Sequence, residues 1–511
     1  MIRSQLRLSC AVGVLALLGA GAAHAQSAEQ VDKMQAQINA LQQQLAALKG
    51  QVKTTEQHVK TTEQHVKKAE QHGDLAFTKA PAPMSTAVVD MSANNRPEIC
   101  TPDKMNCIAL TGRLHLDAGT YSYSPNSSHT SPQSLDSGVN ARRARLGVVG
   151  KFAGDFNYYF VYDFGGTSDG LGGSAPGSLS GGGTSGIENA YISYTGFKPL
   201  ALEAGYMDTP YTLDEATSSN DIMFMERSSS QVIATSLAAG DNRFAAGIRG
   251  NTDRFWAGAY FTGPTSGTSH VGGTAEQSGA FGRVTYQVLQ DKNYSLHIGG
   301  DVEVLMNPQG SSTTNPSVTL SDRPELRIDP TSILSTGAIA NVDGAQVYSA
   351  EAAGGIGPFF VQGEYFHYVI NRGDGLGDNK FDGGYVQASY TLTGESRKYI
   401  PTSGAYSGII PDHPFKPNGF DWGAWEIAGR YSVVDLNDGF TPGIPVTGTD
   451  AVAGGKQTVY TAGLNWYLNR NVRVMFNYLH GDIDKYNGTT TLVQDVGAKF
   501  DAFATRVQVA F

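Results

Sequence analysis

Cysteine is scarce here, with three in 511 residues, and so are tryptophan, with four, and charge, with Asp, Glu, Lys and Arg together at 16%. Three cysteines are too few for a disulfide-dense secreted scaffold or a multi-cysteine zinc fold. No apolar run after residue 23 approaches the roughly 20 residues that a bilayer-spanning helix needs, which excludes a helical membrane protein. Positive charge is also in deficit. Lys and Arg number 37 against 47 Asp and Glu, and a formal charge of −10 has the wrong sign for a nucleic-acid partner. No Ser, His and acid constellation stands out, and no phosphate-binding glycine loop sits between a strand and a helix, so neither an enzyme nor a cofactor is expected.

What is present points to a cell envelope. Glycine (62), tyrosine (24) and phenylalanine (22) are abundant in a chain of low charge, a mixture odd for a soluble protein and ordinary for a transmembrane β-barrel. Arg3 and Arg7 precede an apolar run from Leu8 to Ala23 that closes on Ala23, His24 and Ala25, which reads as a cleaved secretory signal over residues 1–25. Its removal leaves 37 less 2 basic residues against 47 acidic ones, a mature charge of −12.

Next comes a heptad pattern. Val31, Met34, Ile38, Leu41, Leu45, Leu48, Val52, Thr55, Val59, Thr62, Val66 and Ala69 alternate at spacings of three and four, and VKTTEQH, VKTTEQH and VKKAEQH follow in tandem. The period predicts an α-helical coiled-coil stalk over residues 26–72, roughly 60 Å long at about 1.5 Å per residue. His58, His65 and His72 recur every seventh residue, about 10.5 Å apart along a helix, too far for one ion to bridge, and no metal site is assigned. Gly73 ends the pattern, and Pro81, Pro83, Pro97 and Pro102 mark a linker over residues 73–108. Within it, Cys100 and Cys107 either close a small loop in an oxidising periplasm or remain free thiols.

From residue 109 to 511, segments of about ten residues alternate with period two, such as ARLGVVGKF from Ala144 and VRVMFNYLH from Val472. Sixteen strands are expected, starting near residues 109, 141, 156, 187, 200, 242, 253, 278, 293, 346, 357, 381, 421, 456, 471 and 499. Even connections are terse and odd ones long, apart from one long even connection from Gly394 to Phe420. That parity fits an antiparallel barrel with short periplasmic turns and long outer loops. Alternation sends Arg143, Arg145, Lys151, Arg249 and Arg430 into the lumen, because an arginine facing lipid at mid-depth costs about 2–4 kcal/mol. Asp163, Glu203, Glu303 and Glu364 also alternate inward, so the cations could line an anion path or pair with wall acids. The final strand places Phe503, Thr505, Val507, Val509 and Phe511 on its outer face. An aromatic last residue is the kind of end that barrel-insertion machinery reads, and Phe511 is expected to be an assembly signal.

Six stretches resemble the phosphate-selective porin O and P family. They are RRARLGVVGKFAGDFNYYFVYDF from Arg142, TSSNDIMFMERS from Thr217, RPELRID from Arg323, YVQASYTLTGESRKY from Tyr385, WEIAGRYSVVDLND from Trp425 and GLNWYLNRNVRVMFNY from Gly463. The resemblance implies a sixteen-stranded barrel that forms homotrimers and passes anions, with a long third loop folded inward. That loop is Asp208 to Asp241, whose apolar Ile222, Met223, Phe224, Met225, Val232 and Ile233 suit a packed segment. Its Thr217, Ser218, Ser219, Asn220, Asp221, Phe224 and Glu226 are the candidate constriction. Arg227 is its one cation, against Asp214, Glu215, Asp221 and Glu226, so a tight phosphate site is not expected. The whole reads as an all-β, 16-stranded antiparallel outer-membrane porin seated in outer-membrane lipid, with its stalk in the periplasm. The competing reading is a tether whose stalk holds peptidoglycan and whose conduction is incidental.

Overall fold

The computed structural model describes residues 49, 53, 60, 88–90, 96–126, 134–165, 186–239, 242–265, 276–291, 294–308, 315–441, 450–488 and 493–511. They fall in two units, Met1–Met84 and Ser85–Phe511. In the first unit Lys49, Lys53 and Lys60 are helical; the leader and the rest of the heptad segment lie outside the described residues.

The second unit is a closed antiparallel barrel. Its strands are β1 (Cys107–Pro125), β2 (Gly138–Phe152), β3 (Phe156–Asp163), β4 (Gly186–Tyr194), β5 (Leu200–Met207), β6 (Arg243–Asn251), β7 (Phe255–Thr262) and β8 (Ser278–Gln290). They continue as β9 (Tyr294–Asn307), β10 (Val342–Ile356), β11 (Phe359–Arg372), β12 (Asn379–Thr391), β13 (Ala424–Asp438), β14 (Val452–Tyr467), β15 (Val472–Asp484) and β16 (Ala498–Ala510). Every strand pairs with its sequence neighbour, and β16 closes the ring on β1 with Ala510 opposite Arg113 and Ala498 opposite Pro125. Closure removes the unpaired edges that an open sheet would present.

The alternation explains which face is which. On β16, Phe503 and Val507 are exposed on the outside while Ala502, Ala504 and Arg506 are buried inside. The same reversal of the soluble pattern runs round the ring, with Leu146, Phe160, Phe244, Phe261, Val284, Ile298 and Val386 outward and charged groups within.

Within residues 73–108 the described part, 88–90 and 96–108, includes strand pairs. Val88–Asp90 pairs with Glu98–Cys100, which pairs in turn with the start of β1, placing Cys100 opposite Cys107. A disulfide joins the two cysteines. β1 accordingly begins at Cys107, ahead of the expected 109. The barrel's last residue is locked beside it. Phe511 exchanges backbone hydrogen bonds with Gly112, both 3.0 Å, and its ring lies so close that a Cβ on Gly112 would sit 2.5 Å from it.

Candidate functional site

The lumen is occupied by three inserts. The first, residues 208–242, connects β5 to β6 at the long-loop end and turns into the barrel. Its own sequence supplies the local structure: the Thr212 hydroxyl accepts the Glu215 N–H and starts a helical turn, α1 (Leu213–Ala216). The Ser228 hydroxyl accepts the Gln231 N–H and starts α2 (Ser229–Ser236). Leu213, Met223, Phe224, Met225, Ile233 and Leu237 are all buried, against wall residues that include Phe281, Phe360, Phe366, Tyr368 and Val459. Gly463 makes room for one of them, since a Cβ there would meet the Phe224 ring at 3.0 Å.

Between α1 and α2 the backbone is irregular, so its carbonyls need partners from elsewhere. Wall arginines provide them. Arg473 donates to the carbonyls of Ile222 (2.8 Å), Met223 (3.2 Å) and Asn220 (3.3 Å). Arg430 donates to the Glu226 carbonyl at 2.8 Å and stacks 4.8 Å from the Phe224 ring centroid. Arg506 reaches the Met225 carbonyl, and Arg113 reaches the Ser218 and Ser219 hydroxyls. His115 contacts the Asn220 side chain at 3.2 Å. The Glu226 carboxylate accepts from Arg506 (2.6 Å) and Arg142 (2.9 Å), while Arg506 also grips Asp117 at 2.7 Å. Thr217 closes its own turn by donating to the Leu213 carbonyl.

The second insert, residues 308–341 between β9 and β10, carries RPELRID. Its Glu325 accepts from Arg430 (2.6 Å), from the Ser432 hydroxyl and from the Ser229 N–H (3.1 Å). Glu325 adopts φ 52°, a left-handed conformation that a non-glycine residue holds only when its surroundings over-determine it. The third insert, residues 392–423 between β12 and β13, enters from the short-turn end. Arg283 donates to its Ser403 and Gly404 carbonyls, and its Arg397 donates to Glu426 (2.8 Å) and to the Asp221 carbonyl (2.6 Å).

The five sequence-derived arginines are therefore engaged with carboxylates. Arg145 pairs with Asp163 (2.8 Å) and Glu188 (2.5 Å), and Arg249 with Glu203 (3.0 Å). Arg227 pairs with Glu215 (3.3 Å), Arg430 with Glu325, and Arg143 lies 4.0 Å from Glu226. Lys151 is half-buried near the short-turn end, opposite Asn157 and Cys107. Glu303 accepts from the Ala238 and Ala239 N–H groups, and Glu364 from those of Leu213 and Asp214.

Strict alternation misses Arg142. The register shifts between His115 and Asp117, so Ala141 and Arg142 together oppose Leu116 alone. This bulge turns Arg142 inward, where it is fully buried. The signal was legible: adjacent arginines in a membrane strand force one toward lipid unless the strand bulges. Arg113, Arg473 and Arg506 were within reach of the same alternation that found Arg430.

Charge is distributed by sector. Arg430, Arg473, Arg506, Arg113, Arg142 and Arg143 lie on β13 to β2, across the closure, with the acids Asp117 and Glu426 among them, and Asp301, Glu303, Glu351 and Glu364 lie on β9 to β11. β1 and β9 are half a turn apart in a ring of sixteen. At the short-turn end a cavity of about 390 Å³ is lined by Arg96, Arg470, Arg473, Asn220, Gln508 and Phe511 among others.

Residues 108–511 match the sequence profile of the family described as phosphate-selective porin O and P. The chain belongs to this family. Porin O of Pseudomonas aeruginosa is 25% identical over 433 residues, covering 81% of this chain and 90% of that protein. An uncharacterised protein of Caulobacter vibrioides is 36% identical over 112 residues, 22% of this chain and 19% of that one. Among solved structures, an anion-selective porin from Comamonas acidovorans is similar at 14% identity and a TM-score of 0.46, covering 79% of this chain and 99% of that chain. OmpT of Vibrio cholerae is similar at 12% identity and a TM-score of 0.46, covering 80% and 98%. The family places this porin in the outer membrane as a channel. Its short-turn end accordingly faces the periplasm and its long loops face outward.

Proposed function

We propose that this porin passes small hydrophilic solutes with a modest preference for anions, without a tight phosphate site, and works as a homotrimer. The observation that carries the preference is the arginine sector. Arg113 and Arg473 bond the first insert through hydroxyls and backbone carbonyls, which leaves their formal charge uncancelled by those contacts, whereas Arg145 and Arg249 are matched by carboxylates. Charges at the narrowest point outweigh the overall negative charge, because fields from surface charges fade over about 8–10 Å at physiological salt. The family's description as phosphate-selective supports the anion preference.

The test is reversal potential in a potassium chloride gradient across a planar bilayer. The unmutated channel should be weakly anion selective. Arg473→Gln should shift the potential toward cations more than Arg145→Gln, and Arg143→Glu with Arg145→Glu should move it further. Strong cation selectivity in the unmutated channel, or chloride current blocked by micromolar phosphate, would overturn the reading.

A further inference from the structure

The barrel carries one surface constellation twice. On β11 and β12 the outward residues are Tyr365, His367, Lys380 and Asp382; on β15 and β16 they are Tyr478, His480, Lys499 and Asp501. In sequence the copies read YFH followed by KFD, and YLH followed by KFD. The register is the same in both. His367 stands opposite Asp382, and His480 opposite Asp501; on the other side His367 stands opposite Tyr348 and His480 opposite Tyr460. The bonding also repeats: His367 Nδ1 lies 2.8 Å from Asp382 Oδ1 and His480 Nδ1 lies 2.9 Å from Asp501 Oδ1, and the same oxygens accept the Tyr365 and Tyr478 hydroxyls. The phenylalanines of the two KFD triplets, Phe381 and Phe500, are buried inward.

We propose that each constellation binds the phosphate of an outer-leaflet lipid headgroup. A carboxylate can only accept, so Nδ1 carries a hydrogen and Nε2 is the ring's remaining polar atom, with no hydrogen-bond partner among the described residues. Charged, that imidazole donates from Nε2 to a phosphate oxygen. The lysine two residues outward of each aspartate adds a second cation; Lys499 is 3.0 Å from Asp482 and its side chain is still 58% exposed. The position suits this ligand. Tyr348, Tyr365, Tyr460 and Tyr478 form an exposed aromatic band around the histidines, with Phe359, Val386, Val474, Phe503 and Val507 on the periplasmic side of it. Aromatic bands mark the boundary between acyl chains and headgroups, and cationic groups just beyond one meet anionic lipid. A pairing needed only for sheet stability would not require the same tyrosine, histidine, lysine and aspartate in the same register twice.

The inference rests on the outer-membrane reading, and its test keeps the two apart. The protein is extracted from outer membranes in mild detergent and its retained phosphate-bearing lipid is measured by phosphorus assay and native mass spectrometry. The variant combining His367→Gln, Lys380→Gln, His480→Gln and Lys499→Gln should retain several-fold less lipid, and each single-hairpin pair of changes about half the loss. Conductance and heat-modifiable mobility should stay at wild-type values; their absence in the wild type would instead sink the porin reading. Equal lipid retention in all forms would overturn the proposal. So would displacement of the lipid signal by inorganic phosphate, which would mark a soluble-anion site, or loss of the oligomer in the fourfold variant, which would mark an interface between copies.

Discussion

At the scale of single residues, the first insert is held by buried charges whose partners come from distant strands. Glu215 shows how finely they are balanced. Burial in the lumen and the neighbouring Asp208 push its carboxyl up to about 8, outweighing the guanidinium of Arg227 at 3.3 Å. A raised value means that the docked insert binds a proton which the undocked one releases. Docking is therefore strongest below the ordinary carboxylate range, weakens as pH rises from about 4.5, and has lost this contribution by about 8. Open-channel noise should grow between pH 6 and pH 9, and Glu215→Gln should remove that growth. A wild type as quiet at pH 9 as at pH 6 would count against it. Arg506 is a harsher case, because its loss leaves the buried Asp117 without its ion-pair partner, while Glu226 keeps Arg142. Breaking a buried pair of this kind costs about 3–5 kcal/mol.

At the scale of elements, the strand that closes the barrel ends on an interlock. Phe511 is hydrogen-bonded to Gly112 through both backbone groups, the Thr111 hydroxyl donates to its carbonyl at 3.0 Å, and its ring covers Gly112 on the outside. One side chain is a small share of sixteen strands of burial, about 1.5–3 kcal/mol if fully covered and less at its 41% exposure. Deleting Phe511 should therefore lower the amount of heat-modifiable barrel inserted in the membrane far more than it lowers the unfolding temperature of barrels already inserted. Normal insertion of the deletion variant would dismiss Phe511 as an assembly signal. The β2 bulge belongs to the same scale. Alternation locates an inward face until a bulge resets it, and here the reset delivers Arg142 to Glu226.

At the scale of the whole molecule, inserts from both ends meet within one lumen: Arg430 of the arginine sector touches the first and second, while Arg397 of the third touches the first. Selectivity is then a property of the assembled plug and wall together. We propose that the heptads of residues 26–72 form a parallel coil, which would place His58 opposite Glu63 and His65 opposite Glu70, with Val at a and Thr or Ala at three of the d positions. The proposed stalk should be trimeric, and its His–Glu pairs most attractive between the ordinary values of the two groups, about 4.3 and 6.5. A peptide of residues 26–72 should sediment as a trimer and melt higher at pH 5.5 than at pH 7.5; a dimer, or equal melting, would refute the respective part.

The sequence by itself determined the number of strands, their starts to within four residues, the facing of β16 and the closed ring, because a strand in lipid must alternate and an unpaired edge there is forbidden. It also marked the first insert, since six apolar residues in an outer loop have no reason to face water. What only the tertiary structure decided was who meets whom inside. Arg506 and Glu226 are 280 residues apart and Arg430 and Glu325 are 105 apart. Alternation points each of those wall arginines inward without naming a partner. Partners are chosen by where irregular inserts can leave their carbonyls and carboxylates, and an insert has no period to read; its path is set by the space and the unmet hydrogen bonds of the finished barrel.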